Sequence, residues 1–144
     1  MATYTTQRIV RAPPSEVFGR WKDIIPELPK LFPDWLAEMR VVREDGNERT
    51  IRCTEIWAGK KYTYTARQQL TPPSRAEGVV TEGEGRGSTE VWTFDPVPEG
   101  TRMAMTFRSK GAMTLMLVLF RKRFAQEFEG RLDRWAKAVE GRAA

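Results

Sequence analysis

The stretch VVTEGEGRGSTEVW, residues 79–92, decides which kind of fold the chain can have. Gly83, Gly85 and Gly87 alternate within it. A phosphate-cradling loop would set such glycines between a strand and a helix, where unpaired N–H groups and the helix dipole meet an anion. A hairpin would set them between two antiparallel strands, with glycine supplying a positive φ or a bulge. The next segment is STEVWTF, residues 88–94, whose β-branched and aromatic content reads as a strand. No Gly-Lys-Ser/Thr comes after the glycines, and Glu82 and Glu84 would repel an anion. The stretch therefore reads as a turn inside an antiparallel sheet.

Turn signals recur on both sides of it at hairpin spacing. Asp45-Gly46-Asn47 separates Leu36–Glu44 from Glu48–Ala58, and Gly59 leads into Lys60–Leu70. TPP at 71–73 precedes Ser74–Glu82, and PEG at 98–100 separates Ser88–Pro96 from Thr101–Lys110. Alternation gives each strand an apolar face: Ile51, Cys53, Glu55 and Trp57; Tyr62 and Tyr64; Trp92 and Phe94; Met103, Met105 and Phe107. Upstream, Thr3–Arg11 reads as a first strand that APPS at 12–15 ends. Ser15 or its neighbour can cap a short helix carrying Val17, Phe18 and Trp21. Pro26, Pro29 and Pro33 limit the next segment to short helical turns.

From Ala112 the period becomes helical. Leu117, Phe120, Phe124, Phe128, Leu132, Trp135 and Val139 form one stripe up to about Glu140, with Glu127, Glu129, Arg131, Asp133 and Arg134 on the other faces. The expected fold is α+β: a curved antiparallel sheet of about seven strands wrapped around a long, almost unbroken C-terminal helix, with two short helices after strand 1.

The 144 residues suit one domain over 1–144. Hydrophobic residues are 40% and charged residues 30%, a globular balance. Cys53 is the sole cysteine, so no internal disulfide is possible, which suits the cytoplasm. No histidine is present, which removes the usual triads and the favoured zinc ligand. No Asp/Glu cluster has calcium-loop spacing, so no metal site is expected, and no motif calls for a cofactor. Cys53 has no histidine to activate it and reads as a small buried apolar residue. Nothing at the N-terminus reads as a secretory signal, and the apolar run at 112–120 is far short of the ~20 residues that span a bilayer. A net charge of +5 favours an acidic partner, but the basic residues are mixed with acids and carry no recognition motif, so nucleic acid is not expected.

The order of several segments resembles a known superfamily. The chain runs RAPPSEVF at 11–18, ELPKLFP at 27–33, YTA at 64–66, TPPSR at 71–75, EGEGRGS at 82–88 and WTFDPVPEGTR at 92–102. This resembles the START-like polyketide cyclase/dehydrase and lipid-transport superfamily, also called SRPBCC, over nearly the whole chain. Each segment is mostly turn chemistry, so order and spacing carry the likeness. The resemblance implies a helix-grip fold with a cavity between sheet and C-terminal helix, and a lipid-, quinone- or polyketide-like ligand. It leaves three classes open: a carrier or binding module, a cyclase/dehydratase-type enzyme, and a membrane- or ribosome-associated interaction protein.

On that reading Trp57, Tyr62, Tyr64, Trp92, Phe94, Met103, Met105 and Phe107 from the sheet would line the cavity. Phe120, Phe124 and Phe128 would join them from the helix. Methionine adapts to apolar shapes, and tyrosine adds a polar handle; the alternative is a solid aromatic core. Glu55 and Glu90 share parity with these apolar faces, so each is a candidate acid, base or hydroxyl anchor with a raised pKa. The alternative is an interior ion pair with an arginine such as Arg67 or Arg108. Finally, residues 112–123 join an apolar helix start to Arg121, Lys122 and Arg123. Met113, Met116 or Leu117 left outside would make a contact for an anionic membrane surface or a protein partner.

Overall fold

The computed structural model describes residues 2–141, without the side chains of residues 112, 113 and 116. Seven strands form one antiparallel sheet in the order β1-β7-β6-β5-β4-β3-β2. They are β1 (Thr3–Val10), β2 (Leu36–Asp45), β3 (Glu48–Trp57), β4 (Lys60–Thr71), β5 (Arg75–Gly83), β6 (Thr89–Val97) and β7 (Gly100–Arg108). All but one neighbouring pair is a hairpin, so turn chemistry fixes most of the topology; β1 pairs with β7 and closes the far edge. Register shifts at Leu36/Glu38, Val41/Arg43 and Thr65/Ala66 mark bulges, which bend the sheet into a grip.

The segment from Val79 to Trp92 is the β5–β6 hairpin. Gly83, Gly85 and Gly87 all have positive φ, at 87°, 74° and 89°. At Gly83 the Thr63 carbonyl lies where a Cβ would sit, so this position needs glycine twice over.

Helix α1 (Pro14–Asp23) begins with Pro14 in its first turn, and its N-cap is Pro13 in extended geometry. The expected cap at Ser15 is not used. The Pro13 carbonyl instead accepts from Glu16 and Val17 N–H, both at 3.0 Å. A 3₁₀ turn (Ile25–Glu27) and the four-residue α2 (Leu28–Leu31) come next, as the prolines require. Helix α1 fills one end of the grip: Phe18 and Trp21 pack on Phe94 with ring centroids 5.2 and 5.3 Å away.

The C-terminal helix differs from the unbroken one expected. It is two helices, α3 (Ala112–Leu119) and α4 (Arg121–Gly141), joined at Phe120. Neither proline nor glycine occupies the joint, so no local rule marks it. Helix α4 lies in the grip with Leu132, Trp135, Ala136 and Val139 buried. Polar ties hold it there: Tyr4 donates to Glu129 at 2.7 Å, Arg8 pairs with Glu129 at 2.8 Å, and Arg134 forks onto Asp34 at 2.8 and 2.9 Å. No helix among the described residues is long and apolar enough to cross a membrane.

Candidate functional site

Helix α4 does not fill the grip. Between it and strands β2–β7 lies a cavity of about 110 Å³. Among the residues expected to line it, Trp57, Tyr64, Trp92, Met105, Phe107 and Phe124 do so, with Phe128 beside them. Four others do not. Phe94 and Met103 face inward but belong to the solid core at the α1 end of the sheet. Tyr62 is buried beyond the cavity, with the Lys60 ammonium 5.4 Å over its ring. Phe120 sits at the helix joint with its ring in solvent, because the break turns it off the α4 stripe.

Both carboxylates reach the cavity. Glu55 is held by two donors and one ion pair. Trp35 Nε1 donates to one oxygen at 3.1 Å, Tyr64 Oη to the other at 3.0 Å, and Arg131 Nη1 stands 3.7 Å away. Arg131 also lies over the Trp57 ring at 3.3 Å and donates to the Ile56 carbonyl. Burial, followed by the charges of Cys53 and Glu55, pushes the Tyr64 phenol well above its ordinary value, so it stays a donor. Burial likewise raises the Cys53 thiol, which keeps it inert.

Glu90 has a different setting. On the inner face the cross-strand row runs Arg49, Gln68, Gly78, Glu90. Gly78 has no side chain, so Gln68 and Glu90 meet across it: a Cβ there would stand 3.2 Å from Glu90 Cγ. Gln68 Nε2 donates to Glu90 at 3.3 Å, and buried Arg49 donates to Gln68 Oε1 at 2.7 Å. Glu90's cation is therefore one amide away. Burial, with the charge of Glu55 behind it, raises the Glu90 carboxyl, while the Trp92 and Gln68 donors and Arg49 oppose this. The Trp92 N–H lies beside it but makes no hydrogen bond of good geometry among the described residues. The Trp135 N–H, also in the lining, has no partner among the described residues.

The arginines expected to pair with the carboxylates do other work: Arg67 reaches Glu48 at 3.8 Å on the outer face, and Arg108 is exposed. The partners are Arg131 and, through Gln68, Arg49. Charge alone argues for an outer helix face at Arg131, and the structure corrects this. Its place three residues after Phe128 and four before Trp135 puts it on the apolar stripe. Trp35, in the proline-rich segment, has no periodicity to show its direction.

Exposed Glu84 also borders the cavity, so it opens to solvent beside the β5–β6 turn. The described residues hold no cluster of three or more metal-ligating side chains.

No curated protein matches the chain in sequence. Solved structures do match its fold. TTHA0849 from Thermus thermophilus is 23% identical with a TM-score of 0.80, over 98% of this chain and 96% of that one. The di-domain ARO/CYC StfQ from the steffimycin biosynthetic pathway is 14% identical with a TM-score of 0.76, over 98% of this chain and 52% of its own. The Zhui aromatase/cyclase from Streptomyces sp. R1128 is 18% identical with a TM-score of 0.72, over 99% of this chain and 94% of its own. At these identities the likeness is one of fold. The model of the polyketide cyclase / dehydrase and lipid transport family matches residues 10–135, and the chain belongs to that family.

Proposed function

We propose that the protein binds a small ring-bearing ligand with oxygen substituents in the cavity between sheet and α4, as a binding or carrier module. The carrying observation is the mixed lining: aromatic and aliphatic walls with Glu55 and Glu90 as separate polar groups. Such a lining holds a flat apolar body and orients it by a few polar contacts. The volume restricts the body. A cavity of about 150 Å³ admits benzene, so about 110 Å³ has room for no more than one ring. A longer ligand would extend through the opening beside Glu84. The buried thiol of Cys53 suits a reducing, cytoplasmic setting.

The test is a titration followed by tryptophan fluorescence, comparing phenol and p-cresol with benzene and toluene. The hydroxylated rings should bind at least tenfold more tightly, and Ala66→Phe, which fills the cavity, should abolish binding by both. Equal affinity for each pair, or unchanged binding in A66F, overturns the reading.

One observation favours a second reading. A carboxyl raised by burial and facing a cavity can give a proton to a departing hydroxyl, the acid half of a dehydration. StfQ and Zhui bear aromatase/cyclase names, and Glu90 would take that role here. On this reading Glu90→Gln keeps ligand binding but abolishes water loss from a cyclic β-hydroxy ketone. Turnover at the natural rate in E90Q excludes it.

A further inference from the structure

Helix α3 carries an apolar surface that nothing among the described residues covers. Leu115, Val118, Leu119 and Phe120 are 64, 62, 65 and 57% exposed, and no other stretch of the described chain leaves four large apolar side chains so open. Leu115, Val118 and Leu119 stand at i, i+3 and i+4, so they share one helix face, and Phe120 extends it past the helix end. Leu117 points the opposite way and is buried, which anchors the helix. Met113 and Met116, also expected at this surface, lie outside the described side chains. A helix apolar all round is ordinarily buried on all sides; this one is buried on one side.

Charge borders the patch. Exposed Arg121, Lys122 and Arg123 come directly after it, and exposed Lys110 precedes the helix. Among the described residues only Arg123 of these four has an acid in ion-pair range, Glu127 at 3.8 Å. The β5–β6 turn adds no net positive charge, since Glu82 and Glu84 outweigh Arg86. The patch also lies near the cavity opening. The Lys110 N–H donates to Ser88 Oγ at 2.9 Å, and its side chain packs against Gly87, so the turn bordering the opening abuts the start of α3.

We propose that α3 and the Phe120 joint dock on an anionic phospholipid bilayer, with the apolar face in the acyl boundary and the cations on the headgroups. Three features select this occupant. The exposed face is aliphatic with one phenylalanine and no hydrogen-bonding group, which suits hydrocarbon; protein interfaces favour Tyr, Trp and Arg with polar rims. The cations sit at both ends of the helix, where headgroup phosphates would lie. No described helix is long and apolar enough to span, so contact is at the surface. Docked this way, the turn that borders the cavity opening lies beside the contact.

The test is co-sedimentation with vesicles of phosphatidylcholine alone or mixed with phosphatidylglycerol. The natural protein should partition at least tenfold more strongly onto the anionic vesicles, and raising salt should weaken that binding. The double variant L119S/F120S should lose at least tenfold on anionic vesicles, and R121Q/K122Q should bind anionic vesicles at least tenfold more weakly than the natural protein. All four positions are exposed, and circular dichroism checks the fold of each variant. Failure to sediment with anionic vesicles overturns the proposal, as does equal binding to both vesicle types by the natural protein. A dimer in size exclusion that L119S/F120S converts to monomer also overturns it, assigning the patch to a second copy. The ring-compound titration in solution is unaffected by either result.

Discussion

Glu90 shows how far parity along a strand reaches. Counting by two from Trp92 sets it on the inner face, and it lies there, against the cavity. Its partner is beyond such counting, because the link runs across three strands through Gln68 and depends on Gly78 lacking a side chain. The half-buried Glu90, its carboxyl raised by desolvation, makes a pH prediction. Burial raises its native pKa above the unfolded value, so the native state keeps a proton the unfolded chain has lost. The stability it contributes is fully present below the unfolded pKa and is lost as pH rises through the native one. Glu90→Gln has no such proton. Urea midpoints of E90Q and the natural protein should therefore separate in favour of the variant as pH rises from about 4 to 8; a constant difference contradicts a raised carboxyl. Gly83 gives a second prediction. Alanine there meets the Thr63 carbonyl and a positive φ, and should cost about 1–3 kcal/mol, read from the same midpoints. Arg131 is less legible, since its charge argues for the surface while its position argues for the core. The ring of Trp57 and the carboxylate of Glu55 make an interior guanidinium tolerable.

At the scale of elements, alternation and turn residues place strands β2 to β7, because each of their hairpins is settled locally; the pairing of β1 with β7 is not local. The C-terminal stripe reads as one helix because period alone does not register a one-residue joint. That joint separates two kinds of apolar residue. Leu132 in α4 is buried against the sheet, and Leu119 in α3 is open to solvent. Leu132→Ala should cost about 2–5 kcal/mol of unfolding free energy. Leu119→Ala should stay within about 0.5 kcal/mol of the natural protein. Guanidinium unfolding of both variants checks the contrast. A large loss at Leu119 would mean that α3 packs its outer face on the protein.

For the whole molecule, the decisive property is that a bent sheet and one helix leave space between them. The grip is legible from the order of elements: one early strand, a meander, then a helix with a single apolar stripe. The extent of the space is not. Phe94 and Met103 share the inward face with Trp92 and Met105, yet α1 closes over their end of the sheet with Phe18 and Trp21. Strand parity distinguishes inside from outside, but it does not distinguish a filled interior from a hollow one. That depends on where a separate helix lands.

The central claim is that the hollow end holds one small oxygenated ring. Native mass spectrometry of the intact protein with phenol in excess tests it most directly. The account predicts one bound molecule per chain in the natural protein and none in Ala66→Phe. A protein that takes up no molecule, or an A66F variant that binds as the natural protein does, would contradict it.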